Sequence, residues 1–300
     1  MNEVPFLFSH SVFEQLDTSF LQRIESLPAL WSQAAQEYQT HLKIIHLGIY
    51  FEDDQWYFNT GHEKLSLADL LQMKPCYVRV TQLIFLERFH FSEDSSSAIS
   101  SKDLFGKLLP FIHYQLFPGA YLRLENLAEN EDTTKIFKEL LKMRNFTSLD
   151  IENNGESNEA FLQKVIDFQL IKELIVLQGI WSESTKTRLC EAIKQGTIYY
   201  LDLSDSHFEI DLEMFQLCFG IWQEGKNKRS ITLTGLLDFT EDQLKVFLEK
   251  ESCQYRPDSD HEKPKFTIWK RKCSKKLRVE WIDDAEFKDQ GRIIVAAESF

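Results

Sequence analysis

A short apolar motif, two large aliphatic residues on either side of a third residue, recurs five times between Tyr121 and Leu237. The copies are Leu122-Arg123-Leu124, Leu149-Asp150-Ile151, Leu174-Ile175-Val176, Leu201-Asp202-Leu203 and Ile231-Thr232-Leu233, with intervals of 27, 25, 27 and 30 residues. Between copies the apolar residues fall at helical spacing: Ile136, Phe137, Leu140 and Leu141; Phe161, Leu162, Val165 and Ile166; Leu189, Cys190 and Ile193; Met214, Phe215, Phe219 and Trp222. One strand and one helix per period predicts stacked repeats that bury a continuous core. The expected fold is therefore an α/β solenoid, parallel strands alternating with helices. After the last copy, Leu244, Val246, Phe247 and Leu248 predict one more helix, and Thr240 with Gln243 three residues on fits a capping box at its start.

Neighbouring residues of a strand point to opposite faces. If the two aliphatic residues of each copy face the core, the other face carries Tyr121, Arg123 and Glu125; Ser148, Asp150 and Glu152; Glu173, Ile175 and Leu177; Tyr200, Asp202 and Ser204; and Ser230, Thr232 and Thr234. Such a face either binds another protein or is simply solvated. The stretch Phe146 to Asn154 comes nearest the leucine-rich-repeat pattern L-x-x-L-x-L-x-x-N, with Asn154 at the asparagine position. The other copies lack that asparagine, so the repeat is degenerate.

The first 40 residues read as two short helices, carried by Val12, Phe13, Leu16, Phe20, Leu21 and Ile24 and then by Leu27, Leu30, Trp31, Ala34, Ala35 and Tyr38. Residues 41–300 form the expected repeat-like α/β domain. It opens with a hairpin, 42–51 and 56–58 around Asp53-Asp54, then a short helix at 66–72, a strand at 77–85 and a helix at 102–114. It closes with a strand-rich cap over about 263–300, with strands at 265–270, 277–281 and 292–295.

The formal charge of −13 disfavours nucleic acid and acidic membranes as partners. No apolar stretch of about 18 residues is present to span a bilayer. The opening residues lack the pattern of a secretory signal, and the five scattered cysteines read as reduced thiols, so the cytoplasm or nucleus is the expected compartment. Metal sites, phosphate-cradling glycine loops and nucleophile elbows each need residues at set spacing. No such pattern occurs here, so no catalytic, metal-ligating or cofactor-binding residue is assigned and a non-enzymatic protein is expected. One segment departs from the bulk charge: 261–280 holds eight Lys or Arg against two Glu. Trp269 beside Lys270 would suit a nucleic-acid strand; the competing reading is an edge strand whose lysines block edge-to-edge pairing.

The opening Val4-Pro5-Phe6-Leu7-Phe8, the helix ending near Leu27, and Trp31 about 25 residues on resemble a reduced F-box. Valine stands where that family has leucine, and Ala29-Leu30 replaces its cysteine-arginine pair. The whole chain, with its Trp56-Tyr57-Phe58 strand, is similar to a divergent group of nematode F-box-like proteins. The resemblance implies that Val4, Pro5, Phe8, Val12, Leu16, Leu30 and Trp31 contact the Skp1 adaptor of a cullin-based ubiquitin ligase, while the repeats hold a substrate protein. The alternative is that the N-terminal helices only cap the repeats.

Overall fold

The computed structural model describes residues 12–13, 29–61, 65–86, 96–171, 173–224, 231–251, 254–258, 265–269, 276–281 and 290–296. The chain divides into two compact units, one of residues 1–123 with 142–146, the other of 124–141 with 147–300.

In the first unit, helix α1 (Ala29–His41) precedes strands β1 (Lys43–Glu52) and β2 (Gln55–Asn59). These two form the expected hairpin. Its two-residue turn is Asp53-Asp54, both at positive φ (48° and 60°), the conformation that a tight hairpin turn demands and that short polar side chains tolerate. Helix α2 (Leu67–Gln72) starts on a capping box, Ser66 with Asp69. Strand β3 (Val78–Leu86) then returns parallel to β1. Strand β4 (Ser97–Ile99) pairs with β2, and β5 (Leu116–Glu125) lies beside β3, giving the order β5-β3-β1-β2-β4.

Between β4 and β5, helix α3 spans 101–115, where the sequence predicts a helix at 102–114, with a π-helical stretch at Leu104–Leu108. Pro110 cannot donate to the turn before it, and the Leu109 amide reaches back to the Leu104 carbonyl instead. Helix α1 is anchored by a cluster of Phe13, Ala34, Ala35 and Tyr38 against which Trp31, Leu42 and Tyr77 pack. Buried Arg79 on β3 ties this cluster down. Its Nε donates to the Tyr38 hydroxyl at 3.1 Å and another of its nitrogens donates to the Phe13 carbonyl.

In the second unit, strands alternate with helices: α4 (Glu131–Leu140), β6 (Phe146–Glu152, from Thr147 on), α5 (Glu156–Asp167), β7 (Leu174–Gly179), α6 (Glu183–Lys194), β8 (Tyr200–Ser206), β9 (Glu209–Ile210), α7 (Leu212–Glu224), β10 (Ile231–Leu237) and α8 (Glu241–Lys250). Strands β6, β7, β8 and β10 are parallel neighbours in that order. Each helix from α4 to α7 packs on the next. Four further strands, β11 (Gln254–Asp258), β12 (Lys265–Trp269), β13 (Lys276–Trp281) and β14 (Gln290–Ala296), continue the sheet antiparallel from β10, with β14 against β10 and β11 outermost. Three of these helix starts have a local cause. Asn130 and Ser182 accept from Thr133 and Thr185, and the expected capping box of Thr240 and Gln243 is present.

The inward phase of the sheet runs through Leu149, Ile175, Leu201 and Leu233, which stand opposite one another in the register and are at most 1% exposed. This corrects the reading of the third copy. Ile175 and Leu177 point into the core and Val176 takes the outward position, one residue away from the expected phase. Leu174-Ile175-Val176-Leu177 is apolar throughout, so alternation cannot choose between its faces. The neighbouring strands choose, because a one-residue slip would exchange every side chain across the sheet. The intervals become 26 residues from Leu149 to Ile175, 26 to Leu201 and 32 to Leu233, the last lengthened by β9.

Candidate interaction surface

The outward face of the second unit's parallel strands carries Ser148, Asp150 and Glu152 on β6; Leu174, Val176 and Gln178 on β7; Tyr200, Asp202 and Ser204 on β8; and Thr232 and Thr234 on β10. Most are half-buried, as expected for strand residues shielded only by their neighbours across the sheet. Asp150, 7% exposed, accepts from Gln178 Nε2 at 2.8 Å, and the neighbour across the next pairing, Asp202, accepts from the Ser204 amide and hydroxyl at 3.0 and 2.6 Å. These carboxylates are thus held in place by neighbouring groups of the same sheet.

Of the residues expected on this face, Ser148, Asp150, Glu152, Tyr200, Asp202 and Thr232 take their places, while Ile175 is in the core and Glu173 lies before the start of β7. Tyr121 and Arg123, both half-buried, belong to β5 in the first unit. Of the expected adaptor contacts, Val4, Pro5, Phe8 and Leu16 lie outside the described residues. Leu30 is in α1, and Val12 is helical and half-buried. Trp31 is half-buried, its ring edge-on to Phe13 at 5.8 Å between centroids.

Side chains at the carboxyl ends of the strands join each repeat to the next. Glu152 accepts from the Asn126 amide at 2.8 Å, Glu129 from the Ser157 amide and hydroxyl, and Glu159 from the Ser182 and Thr185 hydroxyls. Burial pushes the Glu159 carboxyl up, but these hydrogen bonds outweigh it and hold the pKa below its ordinary value. The Trp181 amide donates to His207 Nδ1 at 3.1 Å, and its indole to the Gln178 carbonyl at 2.9 Å. Gly155, at φ 149°, leaves the space that Glu129 crosses, because a Cβ there would run into that carboxylate.

The asparagine role falls to a different residue from the one the consensus indicates. Asn153, not exposed Asn154, accepts from the Gly155 amide and donates to the Ile180 carbonyl, joining two successive turns. Asn158 was not singled out in the sequence. It is fully buried and donates to the Glu152 carbonyl at 2.9 Å. A polar residue inside an amphipathic helix was the available signal for it.

Lys186 and Asp211 form a 2.7 Å ion pair linking α6 to the start of α7, where Asp211 also accepts from the Met214 amide. Burial pushes the Asp211 carboxyl up. The Lys186 hydrogen bond, the Met214 amide and the lysine's charge outweigh it and hold the pKa below the ordinary 3.8. Burial likewise pulls Lys186 down, while its bond to Asp211 and that charge raise it above 10.5. A depressed carboxylate stabilises the fold fully above 3.8, and that contribution is lost as pH falls through the lower folded value. The lysine's share is full below 10.5 and is lost as pH rises through its raised value. Asp211→Asn is therefore expected to cost about 1 kcal/mol at neutral pH. It should also flatten the loss of stability on acidification, read by denaturant melts on either side of the acid transition.

Among the described residues, the strands of the basic segment do not lie at the sheet edge. Strands β12 and β13 have neighbours on both sides, and β11 is the edge. Of its eight basic residues, Lys263, Lys270, Arg271, Lys272 and Lys275 lie outside the described residues.

No family model matches the chain, and no curated protein shows significant similarity to it. Among the described residues no helix is long and apolar enough to cross a membrane.

Proposed function

We propose that the second unit is a degenerate leucine-rich-repeat-like α/β solenoid and that it binds another protein through the outward residues of β6, β7, β8 and β10. The solenoid reading is supported by sequential strand order, by packing of successive helices, and by side-chain bonds that join residues 23 to 28 apart, about one repeat. The observation that carries the binding reading is the outward face itself. It holds carboxylates, hydroxyls and two aliphatic side chains, Leu174 and Val176, already fixed by the sheet. On this reading the protein acts by holding a partner. Its test is capture of partners from a lysate by the wild type and by Asp202→Lys. Loss of the same partners with an unchanged melting curve supports the reading; unchanged capture rejects it.

The F-box resemblance extends this to a substrate-recognition subunit of a cullin-based ubiquitin ligase, with residues 1–40 as the adaptor-binding segment. A stand-alone scaffold or inhibitor is the competing role. One observation favours the latter: Trp31, an expected adaptor contact, packs on Phe13 within the first unit. Co-purification of Skp1 with the full chain but not with residues 42–300 would establish the ligase role; no association with folded full chain would leave the scaffold.

A further inference from the structure

In the first unit an open cleft of about 500 Å³ lies between the end of α3, the start of β5 and the turn Pro75–Tyr77 that leads into β3. Its lining grades from Tyr114, 81% exposed, through half-buried Cys76 and Phe117 to Tyr38 and Arg79, both buried. Arg79 is the one charged side chain among the described residues that line it. Its guanidinium is fixed from several sides. Besides the bonds to the Tyr38 hydroxyl and the Phe13 carbonyl, its central carbon lies 4.7 Å from the Phe117 ring centroid and 5.2 Å from that of Tyr38. Ring faces so placed attract a cation. The β5 wall is fixed as well. Asn145 Nδ2 donates to the Leu116 carbonyl at 2.8 Å, and the Asn145 carbonyl accepts from the Gly119 and Ala120 amides.

Anchoring α1 needs only the contacts with Tyr38 and Phe13. It does not require the same guanidinium to line an open cleft of ligand size with an exposed tyrosine at its rim. We propose that this cleft binds a monocarboxylate with an apolar or aromatic body, its carboxylate at Arg79 and its body against Tyr114, Phe117 and Leu116. Folding has already withdrawn the guanidinium from most of its water, so a carboxylate that meets it adds only its own desolvation. A planar guanidinium and a planar carboxylate match in shape and charge. A phosphomonoester fits less well. It carries about −1.5 to −2 charges at neutral pH, whereas the described lining offers one cation and no glycine-rich loop.

Phenylacetate titrated into the full chain and followed by ligand-observed NMR should bind saturably, and phenylacetamide at least about tenfold more weakly. Bound phenylacetate should slow alkylation of Cys76 by iodoacetamide and leave that of Cys190, in the second unit, unchanged, as read by peptide mass spectrometry. Tyr114→Ala, with an unaltered melting curve, should weaken binding about threefold or more. Arg79→Gln should abolish it; if that variant does not fold, the amide comparison on the wild type carries the charge test. A short peptide ending in a phenylalanine carboxylate distinguishes a protein terminus from a free acid, the tighter binder naming the source. No saturable binding of either acid by the folded chain overturns the proposal. So do equal affinity for the amide, binding that leaves Cys76 alkylation unchanged, and inorganic phosphate binding more tightly than either acid.

Discussion

Ile175→Lys is expected to abolish cooperative folding of the second unit, whereas Val176→Lys, one residue on, should melt within a few degrees of the wild type. Ile175 is 1% exposed between Leu149 and Leu201. An ammonium there has no partner and no water. Leaving a charge so buried costs several kcal/mol, comparable with the whole stability of a domain. Val176 lies outward and half-buried between Asp150 and Asp202, so a lysine there stays solvated beside two carboxylates. Thermal melts by circular dichroism decide it. The opposite ranking would mean that β7 has the phase expected from aligning Leu174-Ile175-Val176 with the other copies.

Phe215→Ala should cost about 3–5 kcal/mol, while Phe168→Ala should stay within about 0.5 kcal/mol. Phe215 is fully buried on α7, with the rings of Phe239 and Phe247 at 5.8 and 5.6 Å and Phe219 at 6.1 Å. Truncation leaves a cavity that three rings cannot close without leaving their rotamers. Phe168 caps α5 and is 65% exposed, so its removal empties nothing. Urea unfolding of the two variants gives the comparison. Equal costs would show that the α7–α8 cluster is loosely packed.

Much of this arrangement was legible in the sequence where the local pattern had one reading. Leu149-Asp150-Ile151 and Leu201-Asp202-Leu203 alternate, and both fall in phase with the structure. Thr240 and Gln243 mark the start of α8, and the Asp53-Asp54 turn lies between β1 and β2. Where the pattern had no contrast, the neighbours decided: four aliphatic residues in β7 read equally well in either phase, and two adjacent asparagines offered the turn role to either one.

Strands β4 and β9, of three and two residues, are too short for any period. Strand β11, Gln254–Asp258, contains Pro257, which speaks against an interior strand but suits the edge where it lies. The edge-strand alternative for the basic segment arises for the same reason: without β11, β12 would be outermost. The candidate face was legible as alternating residues. The side-chain bonds that join successive repeats, such as Glu159 to Ser182 and Thr185, were not, because their partners lie a full repeat away.

On the proposed function, the outward strand residues, rather than the helices behind them, are where another protein is held. Photo-crosslinking reads this directly. A benzophenone side chain placed at Val176 should yield covalent adducts with protein, while the same group at exposed Glu191 on α6 should yield none. Adducts at Glu191 with Val176 silent would contradict it.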